Sequence, residues 1–317
     1  MDKRLSGWSG IWIAALLVLS LWGLSGKSPA SERLRLGTLP VVDTLPLLVG
    51  EAEGLFAAQG LALELVPFES ALERDAALQA GQLDGYFGDL LNTILLIQAG
   101  QPLRIVTTAF HTHPDYRMFG IALAPGSTLK GLNELAGKPV AISRATVIEY
   151  LLDRILAAQG YPAGYVDKLE IKKIPIRLQM LLADQVDAAL LPEPLLTLAE
   201  SKGARVVADD RSLDTSETIV ALDTTRLGQD ATLAPRFLAA YGAAVARINA
   251  DPEAYKELLV AKTRFPMPVK GRFRVPAFPA PMPPAKADVA EVQDWLVQNG
   301  LTPSRLAYNA IVQPLNP

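Results

Sequence analysis

The 317-residue sequence contains no cysteine and only two histidines. Disulfides, a thiol nucleophile, a thiolate metal site and a lipid carried on cysteine are all excluded. The histidines stand together, His111 and His113 in FHTHPD, with Asp115 as the one acidic neighbour. Two ligands on an extended segment, with no thiolate to join them, fall short of a zinc site. No serine has a G-x-S-x-G setting, and neither G-x-G-x-x-G nor a P-loop occurs. Paired carboxylates such as Glu51 and Glu53 read as a solvated helix face. No cofactor, metal or catalytic residue is expected, and the chain reads as a binding protein rather than an enzyme. Basic charge is scarce too. The net charge is −3, and without residues 1–30 the chain loses three cations and one anion, for −5. Nucleic acid, which wants a basic stripe, is not an expected partner.

One long apolar run is present. Lys3 and Arg4 lead into IWIAALLVLSLWGL (11–24), followed by small and polar residues through Ala30. This is the three-part plan of a secretory signal peptide over residues 1–30, with Ser28-Pro29-Ala30 as the cleavage site. The alternative is an uncleaved anchor, since about 20 mostly apolar residues can just span a bilayer. Export without disulfides points to a bacterial periplasm, and the missing cysteine means not a lipoprotein.

After residue 30 strands and helices alternate. RLRLGTLPVV is strand-like; TLPLLVGEAEGLFAAQG is a helix with Asp43 or Thr44 as N-cap and Gly60 as stop. LALELVPF is a strand, and SALERDAALQAG opens with the capping box Ser70-x-x-Glu73. LDGYFG, DLLNTILLIQAG capped by Asp89, and LRIVTTAF follow. At RMFGIALAPGS the pattern resets: KGLNELAGKPVAIS, then a helix with Thr146-x-x-Glu149 as a second capping box, then LEIKKIP, IRLQMLLADQ, VDAALLP and EPLLTLAESKG. Such alternation predicts βαβ units and mostly parallel sheets, an α/β protein. AGQLDGYFGDL (80–90) is echoed by ADQVDAALLPE (183–193), 103 residues later, which predicts two lobes of similar build. Residues 266–284 hold seven prolines and read as an extended strap over one lobe.

In parallel α/β sheets ligands bind where helix N-termini point, offering free N–H donors and a positive dipole end. The loops nominated on that rule are Leu39–Thr44, Glu69–Ser70, Gly88–Asn92, Ser143–Thr146, Pro175–Arg177 and Pro192–Pro194. Within them the expected ligand-binding residues are Leu39, Asp43, Thr44, Glu69, Ser70, Asp89, Asn92, Ser143, Arg144, Thr146 and Glu193.

LRLGTLPVVDTLPLLVGEAEGLF, ALQAGQLDGYFGDL, ELAGKPVAIS and QMLLADQVDAALLPEPL together resemble the type 2 periplasmic solute-binding proteins of ABC importers. The likeness is to the nitrate/sulfonate/taurine and thiamine-precursor group, which has methionine-binding relatives, and it covers roughly residues 33–312. The resemblance implies two lobes, each a mostly parallel sheet flanked by helices, with a ligand cleft between them. Residues 31–119 and 223–317 would form the first lobe and 120–222 the second, with FGIALA (119–124) and ETIVAL (217–222) as the crossing strands. It further implies a monomer that delivers a small polar solute to an inner-membrane permease and its ATPase. The expected cleft is not strongly basic: Arg144, with Arg74 and Arg177, stands against Asp43, Glu69, Asp89 and Glu193. That leaves a thiamine-precursor pyrimidine or an amine-bearing solute such as methionine open beside a sulfonate or nitrate, and an enzyme or sensor built on the same fold as the other reading.

Overall fold

The computed structural model describes residues 32–263 and 265–314; the expected signal peptide lies outside them. Among the described residues no helix is long and apolar enough to cross a membrane. The strands are β1 (Glu32–Thr38), β2 (Leu61–Pro67), β3 (Gly85–Asp89), β4 (Leu103–His111), β5 (Phe119–Leu123), β6 (Pro139–Ile142), β7 (Asp167–Glu170), β8 (Ala188–Pro192), β9 (Arg205–Asp209) and β10 (Ser216–Asp223). They form two five-stranded sheets, ordered β2-β1-β3-β10-β4 and β7-β6-β8-β5-β9. Three neighbours at one side of each sheet run parallel, while β10 in the first and β5 in the second are antiparallel to both their neighbours. The two sheets therefore repeat one plan, with the odd strand being the first laid down after each passage between them.

That plan corrects the expected boundaries. FGIALA and ETIVAL lie within the sheets rather than between them, and β10 is hydrogen-bonded between β3 and β4 of the first sheet. The second lobe thus ends before Ser216, not at 222. Both strands are buried on both faces, so their apolar runs carry no mark separating a central strand from a connector. The passages themselves are residues 112–118 and 210–215, and they are bonded side by side. Thr112 N donates to Thr215 O at 3.1 Å, and Thr215 N donates to Thr112 Oγ1 at 2.9 Å. The Asp210 carboxylate accepts from the amides of Met118 (3.0 Å) and Phe119 (2.7 Å).

The sequence echo has a local cause. Helices Ala71–Gln79 and Ile174–Leu182 both end in a left-handed residue, Gly81 at φ 68° and Asp184 at φ 54°. Gly81 N donates to Leu78 O and Gln82 N to Ala77 O; Asp184 N donates to Leu181 O and Gln185 N to Met180 O. This paired bonding closes the last turn and aims the chain into the next strand. Asp184 tolerates the conformation because its side chain is tied down, Oδ1 accepting from Gly126 N at 2.7 Å.

Elsewhere the helix expected from residue 44 to 60 is interrupted. Leu45–Ala52 and Leu55–Ala58 are separated by Gly54 at φ 67°, a conformation that stops a right-handed helix. The proline-rich segment is a strap, but it reaches both lobes rather than one. Its turn Met267–Val269 packs beside helix Leu195–Ser201 of the second, while on the first Thr108 N donates to Met282 O at 2.7 Å and Asn249 exchanges bonds with Phe278. Near the C-terminus only Tyr308–Ile311 is helical within the expected PSRLAYNAI helix.

Candidate ligand-binding cleft

Between the strand ends of the two sheets lies a cavity of about 50 Å³. Leu39, Val41, Asp43, Ala71, Phe87, Gly88, Asp89 and Thr218 line it from the first sheet's side. Phe119, Ser143, Thr146–Ile148, Lys172, Ile174, Arg177 and Pro192 line it from the second. Of the residues expected from sequence, Leu39, Asp43, Asp89, Ser143 and Thr146 meet here. Their loops follow strand ends, and the caps hold: Asp89 Oδ1 accepts from Asn92 N at 2.7 Å, and Thr146 Oγ1 from Ile148 N at 3.2 Å.

The other six stand elsewhere, each for a visible reason. Thr44 is buried with its hydroxyl donated to Val41 O at 2.7 Å, and Ser70 caps its own helix through Glu73 N at 3.3 Å. Asn92 is taken up by Arg74 and Asp75, and Glu69 lies 3.9 Å from Lys173. Arg144 is half exposed, pairs with Glu149 at 3.4 Å and donates to Lys168 O at 2.9 Å. Glu193 pairs with Arg117 at 2.8 Å and accepts from Thr197 N at 3.0 Å. Sequence reasoning missed Phe119 and Thr218, which come from the antiparallel strands and obey no helix-start rule. It named Arg177 only as a lesser cation.

Arg74 and Arg177 are 103 residues apart, the spacing of the echo, and both are fully buried. Their surroundings differ. Arg74 donates through Nε and Nη2 to Asp75 Oδ1 (2.9 and 2.7 Å), through Nη2 to Asn92 Oδ1 (2.7 Å) and through Nη1 to Phe87 O (2.9 Å). It also lies over the Tyr86 ring, 4.3 Å from its centre. In the second lobe the residues 103 positions beyond Asp75 and Asn92 are Leu178 and Leu195. Arg177 is left with one bond, Nη1 to Ile171 O at 3.1 Å, while Nε and Nη2 are buried without a partner. One arginine is structural and the other is available. Arg74→Met is accordingly expected to cost about 3 kcal/mol, since it strands the buried Asp75 carboxylate. Chemical denaturation checks this, and a loss under 1 kcal/mol would contradict it.

Burial dominates the electrostatics. It pushes the Asp43 carboxyl up to about 6, an effect the neighbouring Thr218 hydroxyl only partly offsets. Neither group makes a hydrogen bond of ordinary geometry. Asp89 is pushed up to about 6 by burial, against the stabilising amides of Asn92 and Val147 and the charge of Arg74. Burial likewise lowers Arg177 to about 10, which leaves it charged near neutrality. Beside Asp43, Glu217 is raised well above the carboxylate range by burial and by Asp210.

Contacts across the opening hold the two sides together. Lys173 Nζ reaches Glu73 at 2.9 Å, and Asp89 faces the Val147 amide at the start of helix Val147–Ala158, where a negative charge is favoured. On the outer side Trp295 Nε1 donates to Asp153 Oδ2 at 3.0 Å. Such a cavity can enclose a small polar solute and desolvate it.

Residues 42–255 match the family model described as NMT1/THI5 like. The chain belongs to the NMT1/THI5-like family. No curated protein matches the sequence. Among solved structures, the ligand-binding component of an ABC-type import system from Staphylococcus aureus, with zinc bound, has a TM-score of 0.76 at 18% identity. The match covers 89% of this chain and 97% of that one. The alkanesulfonate-binding protein SsuA from Xanthomonas axonopodis pv. citri, bound to MOPS, has a TM-score of 0.75 at 20% identity, covering 89% and 98%. The aliphatic sulphonate-binding protein SsuA from Escherichia coli gives 0.72 at 21%, covering 89% and 97%. At these identities the likeness establishes the fold. This NMT1/THI5-like chain has the two-lobed periplasmic binding fold that its sequence led one to expect.

Proposed function

We propose that this protein is the solute-binding component of an ABC import system. It takes up a small sulfonate-, taurine- or nitrate-like solute in the periplasm and delivers it to an inner-membrane permease served by an ATPase. Arg177 carries this reading: a fully buried guanidinium with two unpartnered donor atoms, among the residues that line the cleft. An isolated buried cation is costly, and an acidic solute offsets that cost with charge-assisted, bidentate hydrogen bonds. Both sides of the cleft contribute lining residues, so a solute held by both favours the closed arrangement. The permease would read that closure across surfaces of both lobes in a monomer.

Thermal unfolding of the protein from residue 31 onward, stripped of bound solute, tests the reading. The compounds are taurine, alkyl and aryl sulfonates, nitrate, methionine and thiamine precursors. A true ligand at a hundred times its dissociation constant adds about 2.7 kcal/mol, a rise of several degrees. No shift with any compound would sink the receptor reading.

A further inference from the structure

We infer that helix Lys286–Gln298 is a latch. Fixed to the first lobe, it holds the second through Glu291 and Trp295 in the arrangement that brings the cleft residues together. The inference rests on the receptor reading, in which the lobes move about the passages 112–118 and 210–215, and it names a contact that sets their balance. The attachment to the first lobe is broad. The helix packs against helix Leu90–Gln98, which follows β3, and its Val289, Val292 and Leu296 are buried. In its first turn Asp288 Oδ2 accepts from Ser216 N at 3.0 Å and Ser216 Oγ at 2.7 Å, at the start of β10. Further on, Gln293 Oε1 accepts from Leu306 N at 2.6 Å, and that C-terminal segment is bonded to β4 by Gln313 N and Ile105 O at 2.9 Å.

Towards the second lobe the same helix reaches only with side-chain tips, all of them onto helix Val147–Ala158 and β7. Glu291 pairs with Arg154 at 2.6 Å and accepts from Tyr150 OH at 3.4 Å. Trp295 Nε1 donates to Asp153 Oδ2 at 3.0 Å, and its ring meets Tyr150 edge-on, 5.8 Å between centres. Lys168 closes the group, 2.8 Å from the same Asp153 oxygen and 5.5 Å from the centre of the Trp295 ring. The spacing makes this one seam: Glu291 and Trp295 stand four apart, and Tyr150, Asp153 and Arg154 stand three and four apart, so each set shares a helix face. The two attachments differ in kind. Buried apolar packing fixes the helix to the first lobe, whereas a half-exposed ion pair and two hydrogen bonds, each of modest net strength, join it to the second. A recess of about 550 Å³ also runs beside the seam, lined by Trp295 and Asn299 on one side and by Asp153, Arg154 and Leu156 on the other. The second lobe can therefore part from this helix without a close-packed core being unmade.

The chain carries its own reporter. Trp8, Trp12 and Trp22 fall within residues 1–30, so Trp295 is the one tryptophan from residue 31 onward, and it is 9% exposed. In the solute-free protein from residue 31 onward, Glu291→Ala combined with Asp153→Ala removes the latch and keeps the reporter. Acrylamide quenching of Trp295 should rise about twofold or more, and small-angle scattering should give a larger radius of gyration as the open population grows. Tying the lobes at the opening separates this from local loosening. Glu73→Cys and Lys173→Cys, joined by a short bifunctional maleimide in a chain with no other cysteine, should return the radius of gyration to the parent's and remove most of the added quenching. Quenching and radius both unchanged in the double alanine variant would overturn the latch. Added quenching with an unchanged radius, or quenching that survives the cross-link, would overturn it too, by showing that only the side-chain contact had loosened. Neither result touches the receptor reading, which stands or falls on the thermal shifts.

Discussion

Arg177→Met should lower affinity for the acidic solute proposed for the cleft by about 100-fold or more while leaving the unliganded protein as stable as before, or more so. The two halves of this prediction have one origin. The guanidinium is fully buried, keeps a single hydrogen bond to Ile171 O, and is lowered to about 10 by burial alone, with no anion to raise it. Removing an unpaired buried charge and replacing it with a flexible apolar chain of similar length gains about 1–2 kcal/mol in such settings. With ligand bound the balance reverses, because truncating one partner of a buried, hydrogen-bonded charge pair costs about 2–5 kcal/mol. Calorimetric titration and urea denaturation of the same two proteins measure both quantities. Affinity within threefold of the parent would remove Arg177 from the site. A loss of stability matching that of Arg74→Met would show that it is structural after all.

The unliganded protein should also be more stable at pH 5 than at pH 8. Burial pushes Asp43, Asp89 and Asp210 each up to about 6 in the folded state, against about 3.9 when unfolded. Between those values the folded chain holds protons that the unfolded chain has released, so stability falls as pH rises through the window. At pH 5 each group is worth about 1.4 kcal/mol relative to pH 8, or about 4 for the three. That corresponds to roughly 5–10 °C in a protein of this size. Glu217, also raised well above its ordinary range by burial, shifts stability in the same direction. Carboxylates shifted the other way, Glu53, Glu73 and Asp230, are solvent-screened and withdraw their support only at lower pH. Thermal melts in a buffer series decide the matter. A melting temperature that is flat or rising from pH 5 to 8 would mean that these carboxyls ionise in the ordinary range.

What was legible in the sequence was local. Ser70, Asp89 and Thr146 read as caps because a short polar side chain before an apolar helix has one favourable use, and the structure shows each accepting an amide hydrogen there. Gly81 and the echoed Asp184 marked equivalent turns, since each bends the chain from a helix into a strand within three residues. From those signals came the alternation, the two-lobed plan and the loops at the cleft, including Leu39, Asp43 and Ser143. Proline density likewise announced the strap, because proline rules out a continuing helix or central strand.

Only the tertiary structure decided which groups line the cleft and which of them lack partners. Whether ETIVAL connects the lobes or joins the first sheet depends on pairing with β3 and β4, more than 100 residues away in sequence. Its register alone brings Thr218 to the cavity. Arg74, Arg144 and Arg177 are alike in one dimension. In three, Asp75 and Asn92 neutralise the first, Glu149 pairs with the second, and leucines replace the partners of the third. Charge is a property of the residue, but its availability is a property of the neighbours that folding assembles around it. The sequence determined that this protein has two similar lobes and a cleft at their helix starts; the packing of non-local neighbours determined that Asp43 and Arg177 are among the residues lining that cleft and lack partners.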